Sequence, residues 1–242
     1  MNRPPLHWLQ ATDPPDAFPP VEHAMTEPNG LLAAGGDLST ERLLAAYARG
    51  IFPWYDEGQP ILWWSPAPRC VLRPDSLHVS RRLRQYAKRA AATVTFNRAF
   101  EATIDACAEE RPSQLGTWIT PDMRAAYMRL HDVGWAHSIE AWVGDQHIGG
   151  LYGVAIGKVF FGESMFSAAD NGSKFAMMAL CQTLVDKGFS LLDCQVVSQH
   201  LLSLGAEHLP RGEFVDILER DCFPHAPFKD WPSDPISLAS LC

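Results

Sequence analysis

Residues 138–163 read SIEAWVGDQHIGGLYGVAIGKVFFGE, and this stretch decides the fold. Three runs rich in aliphatic and aromatic residues, 138–143, 147–155 and 159–163, are separated by Gly144-Asp145 and by Ile156-Gly157-Lys158. Short strands joined by tight Gly-containing turns form antiparallel hairpins, so the spacing predicts a three-stranded meander. The segment 173–187 is apolar, too long for a strand, and stopped by Gly188, which predicts a helix. Residues 190–195 then read as a short buried strand.

A meander feeding a helix and a further strand is the core order of the acetyltransferase-like (GNAT) α+β fold, an antiparallel or mixed sheet with flanking helices. Working back from it, residues 70–72 and 93–96 read as strands, and 80–91 and 100–110 as helices. Thr120 can cap another helix, with Pro121 at its first position. Residues 213–220 read as a last helix.

Upstream, Asp37-Leu-Ser-Thr40 offers caps for a helix carrying Leu43, Leu44 and Tyr47 and stopped by Gly50; an aromatic strand-like run, Ile61-Leu-Trp-Trp64, follows. Residues 1–36 are proline-rich and aperiodic, and are expected to be irregular. Ser65-Pro-Ala-Pro68 is a natural boundary, giving a small N-terminal domain over 1–67 and a larger one over 68–242.

With 47% hydrophobic and 20% charged residues the chain is of ordinary globular type. No stretch approaches the roughly 18 apolar residues of a membrane span; the longest, 176–185, is broken by Gln182. Residues 1–10 lack the apolar core of a signal peptide. The six cysteines form no CxxC pair, which favours reduced thiols in a cytoplasm. HExxH, GxGxxG and GxxxxGK[ST] are all missing, so no metal and no nucleotide cofactor is expected; the nearest approach to a phosphate loop is Asn171-Gly-Ser-Lys174.

The formal net charge of −8 opposes nucleic-acid binding by the chain as a whole. Its distribution points the other way. At about 100° per residue, Arg81, Arg82, Arg84, Lys88 and Arg89 share one arc of the 80–91 helix, with Leu83, Tyr86, Ala87 and Ala90 opposite. A solvated face normally mixes signs, whereas five cations without an acid make a track for a phosphate backbone.

Eight blocks stand in order along the chain: Glu27-Pro-Asn-Gly-Leu-Leu32 with Gly35-Gly-Asp-Leu38; Gly50-Ile-Phe-Pro-Trp54; Ile61-Leu-Trp-Trp-Ser-Pro66; Gly116-Thr-Trp-Ile119; His137-Ser-Ile-Glu140; Gly149-Gly-Leu-Tyr-Gly-Val154; Gly162-Glu-Ser-Met-Phe-Ser167; and Leu192-Asp-Cys-Gln195. In this order and spacing the sequence resembles the leucyl/phenylalanyl-tRNA–protein transferases over nearly its whole length. The resemblance implies transfer of Leu or Phe, with Met a further candidate, from aminoacyl-tRNA to the α-amino group of proteins that begin with Arg or Lys. Such extension marks the acceptors for degradation by the N-end rule. An aminoacyl ester is already activated, which fits a chain without an ATP site or a metal.

The resemblance also carries residue roles. Asp193 and Gln195 become the catalytic pair, with the Gln195 carbonyl drawing on the attacking N–H. Residues two apart on a strand share a face, so the carboxylate is expected to orient the amide; spacing alone favours a strand-end cap and a surface amide, and the resemblance reverses that. Alternation turns Cys194 away from them, toward the role of a small buried hydrophobe. Glu163 takes the cationic acceptor terminus. Leu151, Phe160, Leu180 and Leu192 form the donor side-chain pocket, and Trp54 and Trp118 stack on the 3′-terminal adenosine, while Trp63 and Trp64 read as packing. The alternative is a GNAT enzyme using acyl-CoA. Against it, 167–173 lacks the glycine-rich pyrophosphate loop that acyl-CoA binding needs.

Overall fold

The computed structural model describes residues 6–109, 118–223 and 226–242. Residues 1–5, the end of the expected 100–110 helix and the first two positions of the Gly116–Ile119 block lie outside that set. The architecture is mixed α+β, built on two sheets.

The N-terminal part contains β1 (His7–Leu9), β2 (Leu31–Gly35), α1 (Thr40–Ala48), β3 (Phe52–Pro53) and β4 (Leu62–Trp64), with the sheet order β1-β2-β4-β3. The expectation of an irregular 1–36 is corrected here. His7–Leu9 pairs with Ala33–Gly35 in parallel, and β2 pairs with the aromatic strand β4. Such partners lie far apart in sequence, so no local period announces them. Ser39, not Asp37, caps α1: the Arg42 N–H donates to its hydroxyl.

The larger part runs β5 (Arg69–Leu72), α2 (Arg81–Arg89), β6 (Ala92–Phe96), α3 (Phe100–Ala108), α4 (Pro121–Asp132), β7 (Ala136–Val143), β8 (Gln146–Ile156) and β9 (Val159–Ser167). It continues with α5 (Gly172–Asp186), β10 (Leu191–Gln195), α6 (Gln199–Ser203), β11 (Glu207–Leu209), α7 (Arg211–Asp221) and β12 (Ile236–Ser237). The sheet order is β11-β5-β10-β9-β8-β7-β6-β12. The meander β7-β8-β9 is antiparallel, and β10 joins it parallel to β9 after α5 crosses over. Ser80 caps α2 and Thr120 caps α4, each worth about 1 kcal/mol.

Two buried clusters hold the layers together. One joins α5, Leu83 of α2 and the sheet residues Leu151, Phe160 and Leu192. The other joins α1, β4, α3, α4 and α7 to the opposite sheet face through Tyr152 and Phe161, so the smaller sheet shares its core with the larger one. Helix α5 lies so close to β8 that a Cβ on Gly149 or Gly172 would enter the other strand's or helix's backbone. Among the described residues, no helix is long and apolar enough to cross a membrane.

Candidate active site

Strands β9 and β10 are hydrogen-bonded partners only through Leu191↔Val159, Leu192↔Phe160 and Asp193↔Phe161; beyond these they part. Each carries a bulge at that point. On β9, Gly153 faces Gly162 and Tyr152 faces Ser164, which leaves Glu163 as the extra residue. On β10, Val71 faces Asp193 and Cys70 faces Gln195, leaving Cys194 extra and Gln195 at a left-handed φ of 60°. Bulges re-aim side chains beside functional clefts. Here they turn Glu163 and Gln195 toward each other, and the Gln195 Nε2 donates to Glu163 Oε1 at 2.7 Å.

A cavity of about 410 Å³ occupies the gap. Glu163 and Gln195 line it together, and a carboxylate can only accept hydrogen bonds, so the amide nitrogen must face Glu163. The Gln195 carbonyl oxygen is then free to face elsewhere. Tyr47 from α1 donates to Glu163 Oε1 at 2.8 Å, and Tyr127 from α4 donates to Oε2 at 2.7 Å. Burial pushes the Glu163 carboxyl up to about 7, helped by the Asp193 charge and opposed by bonds from Tyr127, Tyr47 and Gln195. Burial and the nearby Glu163 raise both phenols well above their ordinary value, so they remain donors.

Asp193 is placed differently from the expectation. It is fully buried and does not line the cavity. Its carboxylate takes two bonds from Arg69, at 2.8 and 2.7 Å, and accepts the Gln195 backbone N–H at 2.9 Å, not the side-chain amide. Arg69 is itself fully buried between the rings of Phe52 and Phe214, 4.7 and 4.8 Å from their centroids. Asp193 therefore braces the bulge that carries Gln195. The bulge also spoils simple alternation: Cys194 lines the cavity beside Gln195. A hydrogen bond with the Cys70 thiol and burial push the Cys194 thiol well up, which leaves it protonated and a poor nucleophile.

Of the expected donor pocket, Leu151, Leu180 and Leu192 line the cavity. Phe160 does not. It is fully buried against Gly153 and the ring of Trp231, beside Leu192 of the neighbouring strand. Met165 and Met177 line the wall instead and supply soft, adaptable surface. Trp54, 43% exposed, and the half-buried Trp118 line the cavity. Trp64 steadies Trp54 by donating to its carbonyl at 2.7 Å, and Trp63 is core, bonded to the Gly35 carbonyl.

Arg69, Tyr47, Tyr127 and the two methionines were not singled out by sequence reasoning. Tyr47 and Tyr127 each sit on an apolar helix face, where a phenol reads as core. Only the position of a buried carboxylate between the helices distinguishes them.

On α2 all five cations are exposed, while Leu83 and Ala87 are buried. None of the five forms an ion pair among the described residues. Tyr86 is half-exposed and stacks on Phe175 of α5, the helix whose Met177 and Leu180 line the cavity. Helix α2 thus packs, through the face opposite its cations, on the helix that supplies part of the cavity wall.

Comparison with known proteins identifies the family. Residues 71–219 match the family described as leucyl/phenylalanyl-tRNA protein transferase, and residues 36–67 match the N-terminal domain of the same family. A leucyl/phenylalanyl-tRNA–protein transferase of Pseudomonas aeruginosa (strain LESB58) is 57% identical over 215 residues, covering 89% of this chain and 94% of its own. That of Azoarcus sp. (strain BH72) is 52% identical over 226 residues, covering 93% and 95%. One from Azotobacter vinelandii is 58% identical over 202 residues, covering 84% and 89%.

Proposed function

The chain belongs to the leucyl/phenylalanyl-tRNA–protein transferase family, and from that premise we propose that it moves Leu or Phe, and Met as a further donor, from tRNA to protein N-termini beginning with Arg or Lys. The products would be substrates for N-end-rule degradation. The observation that carries this reading is the meeting of Glu163 and Gln195 at the parted strands, beside an apolar wall and two tryptophans.

The donor side chain lies against Leu151, Leu180 and Leu192, and the terminal adenosine lies on Trp54 and Trp118, where stacking is worth about 1–3 kcal/mol per base. Arg81, Arg82, Arg84, Lys88 and Arg89 follow the phosphates of the tRNA. The cationic acceptor terminus, with its Arg or Lys side chain, is drawn by Glu163, and its α-amine enters protonated. It loses its proton easily, since an α-amino group has a pKa of roughly 8. The Gln195 carbonyl accepts an N–H of the neutral amine and aims its lone pair at the ester carbonyl. An amide is too weak a base to do more, so the rate comes chiefly from holding amine and ester together. The C–N bond forms, the tetrahedral intermediate collapses, and the 3′-oxygen of the tRNA leaves with a proton.

We further propose an acetyltransferase-like core for 68–242 and a small domain over 1–67. The meander, the crossing α5 and the parallel β10 support the first, and the separate sheets either side of 65–68 support the second. A cytoplasmic site of action fits six cysteines that form no disulfide among the described residues.

The test is direct. Protein, Leu-tRNA and peptides beginning with Arg, Lys, Asp or Glu are mixed, and the products are read by mass. Arg and Lys peptides should gain one leucine at the α-amino group and the acidic ones none. Equal extension of all four would remove the acceptor assignment, and extension of none would remove the transfer reading. Tight binding of acyl-CoA in the same assay would favour the acyl-CoA alternative.

A further inference from the structure

Tyr152 holds a hydroxyl that the reading above leaves unused. Its side chain is fully buried, it lines the cavity, and among the described residues its oxygen has no hydrogen-bond partner. The neighbouring tyrosines differ: Tyr47 and Tyr127 both give their hydroxyls to Glu163. The ring of Tyr152 stands edge-on to Tyr127 at 5.4 Å and to Phe100 at 5.9 Å, so packing fixes its direction. A buried hydroxyl without a partner weakens a fold unless something arrives to satisfy it.

Its position says what arrives. Leu151 and Tyr152 are adjacent on β8, and successive strand residues point to opposite faces. Leu151 belongs to the cluster on the α5 side, where the donor side chain is received, and Tyr152 belongs to the other cluster. The cavity reaches both faces through the gap between β9 and β10. On the Tyr152 side the walls are Cys107, Trp118 and Phe52; among the described residues Glu163 is the only acid lining the cavity, and no Lys or Arg lines it. Burial, Glu163 and Cys107 all raise the Tyr152 phenol, so the hydroxyl stays protonated and offers its lone pairs. A carboxylate, aromatic faces and a neutral oxygen acceptor together make a receptor for an organic cation.

We propose that the Tyr152 hydroxyl accepts a hydrogen bond from the guanidinium or ammonium of the acceptor's first side chain, Glu163 supplying the charge and Tyr152 the direction. This rests on the acceptor reading of the previous subsection and assigns it a second residue. Donor and acceptor then approach from opposite faces of the sheet and meet at Gln195.

The test is Tyr152→Phe, which removes one oxygen and keeps the ring. In the free protein it deletes an unsatisfied polar atom, so Tm should stay level or rise. In steady-state transfer, KM for Arg and Lys peptides should rise about tenfold, equivalent to about 1.4 kcal/mol, with the loss falling on KM and not on kcat. Affinity for a non-hydrolysable 3′-aminoacylamide adenosine should not change. A fall in Tm would mean that the hydroxyl serves the fold, and an unchanged KM would mean that it touches no acceptor; either result overturns the proposal. Loss of donor-analogue affinity overturns it too, by placing the hydroxyl on the donor side. A wild-type enzyme that ignored Arg and Lys peptides would instead sink the acceptor reading beneath it.

Discussion

Asp193→Ala would be read in most assays as the loss of a catalytic carboxylate, yet the structure predicts a different cause. The substitution strands the Arg69 guanidinium, fully buried between Phe52 and Phe214 and already with one nitrogen, Nη1, unpartnered among the described residues. Removing one member of a buried ion pair costs about 3–5 kcal/mol, against a total stability of roughly 5–15 kcal/mol. At about 2–4 °C per kcal/mol for a chain of this size, Tm should drop by roughly 6–20 °C. Transfer should collapse as well, because the Gln195 backbone N–H loses the acceptor that holds its bulge.

The double variant Arg69→Met with Asp193→Leu separates the two effects. It takes both charges out of the interior, and replacing a buried pair with apolar side chains is often neutral or stabilising. Tm should return to within a few degrees of wild type while transfer stays low. Thermal unfolding beside transfer at saturating donor and acceptor reads both quantities. A wild-type Tm for Asp193→Ala would refute the structural role of the pair. Recovered transfer in the double variant would refute the link from Asp193 through the bulge to Gln195.

Two further outcomes follow from the site and its surroundings. Drawing in a cationic acceptor needs Glu163 ionised, and burial holds this group near 7; transfer should therefore fall as pH drops through that value. Tyr127→Phe removes a bond that lowers the Glu163 pKa, so this acidic limb should move to higher pH; a limb that stays put would assign it to the acceptor amine alone. Changing Arg81, Arg84 and Lys88 together to Ala should weaken tRNA binding and flatten the log-affinity against log-salt slope by roughly 2. The buried Leu83 and Ala87 stay in place, so an unaltered slope would reduce this face to solvated surface.

Local pattern carried the sequence reading a long way. The turns at Gly144 and Gly157 and the Thr120-Pro121 start stand where their chemistry puts them. The five-cation arc of α2 is exposed as the helical period requires. Reading failed where structure depends on distant partners. Strands β1 and β2 have no period of their own and exist by pairing with each other and with β4. Two bulges escaped notice, because an extra residue is visible only once both strands are laid side by side. Those bulges explain why Cys194 reaches the cavity and why the Gln195 amide meets Glu163 instead of Asp193. Phe160 was grouped with the donor pocket through the family likeness, yet a buried aromatic can belong either to a wall or to the core beside it.

On the proposed function, transfer takes place at the gap between β9 and β10, with Gln195 aiming the amine. A single-turnover assay with prebound Leu-tRNA and a saturating Arg peptide tests it most directly, comparing wild type, Gln195→Ala and Cys194→Ala. Gln195→Ala should slow the peptide-bond-forming step by about a hundredfold or more, the scale of a lost aligning contact, while aminoacyl-tRNA affinity and Tm hold and Cys194→Ala stays near wild type. A Gln195→Ala protein that transfers at the wild-type rate, or a Cys194→Ala protein that cannot transfer at all, would contradict the account and point to a covalent acyl-enzyme.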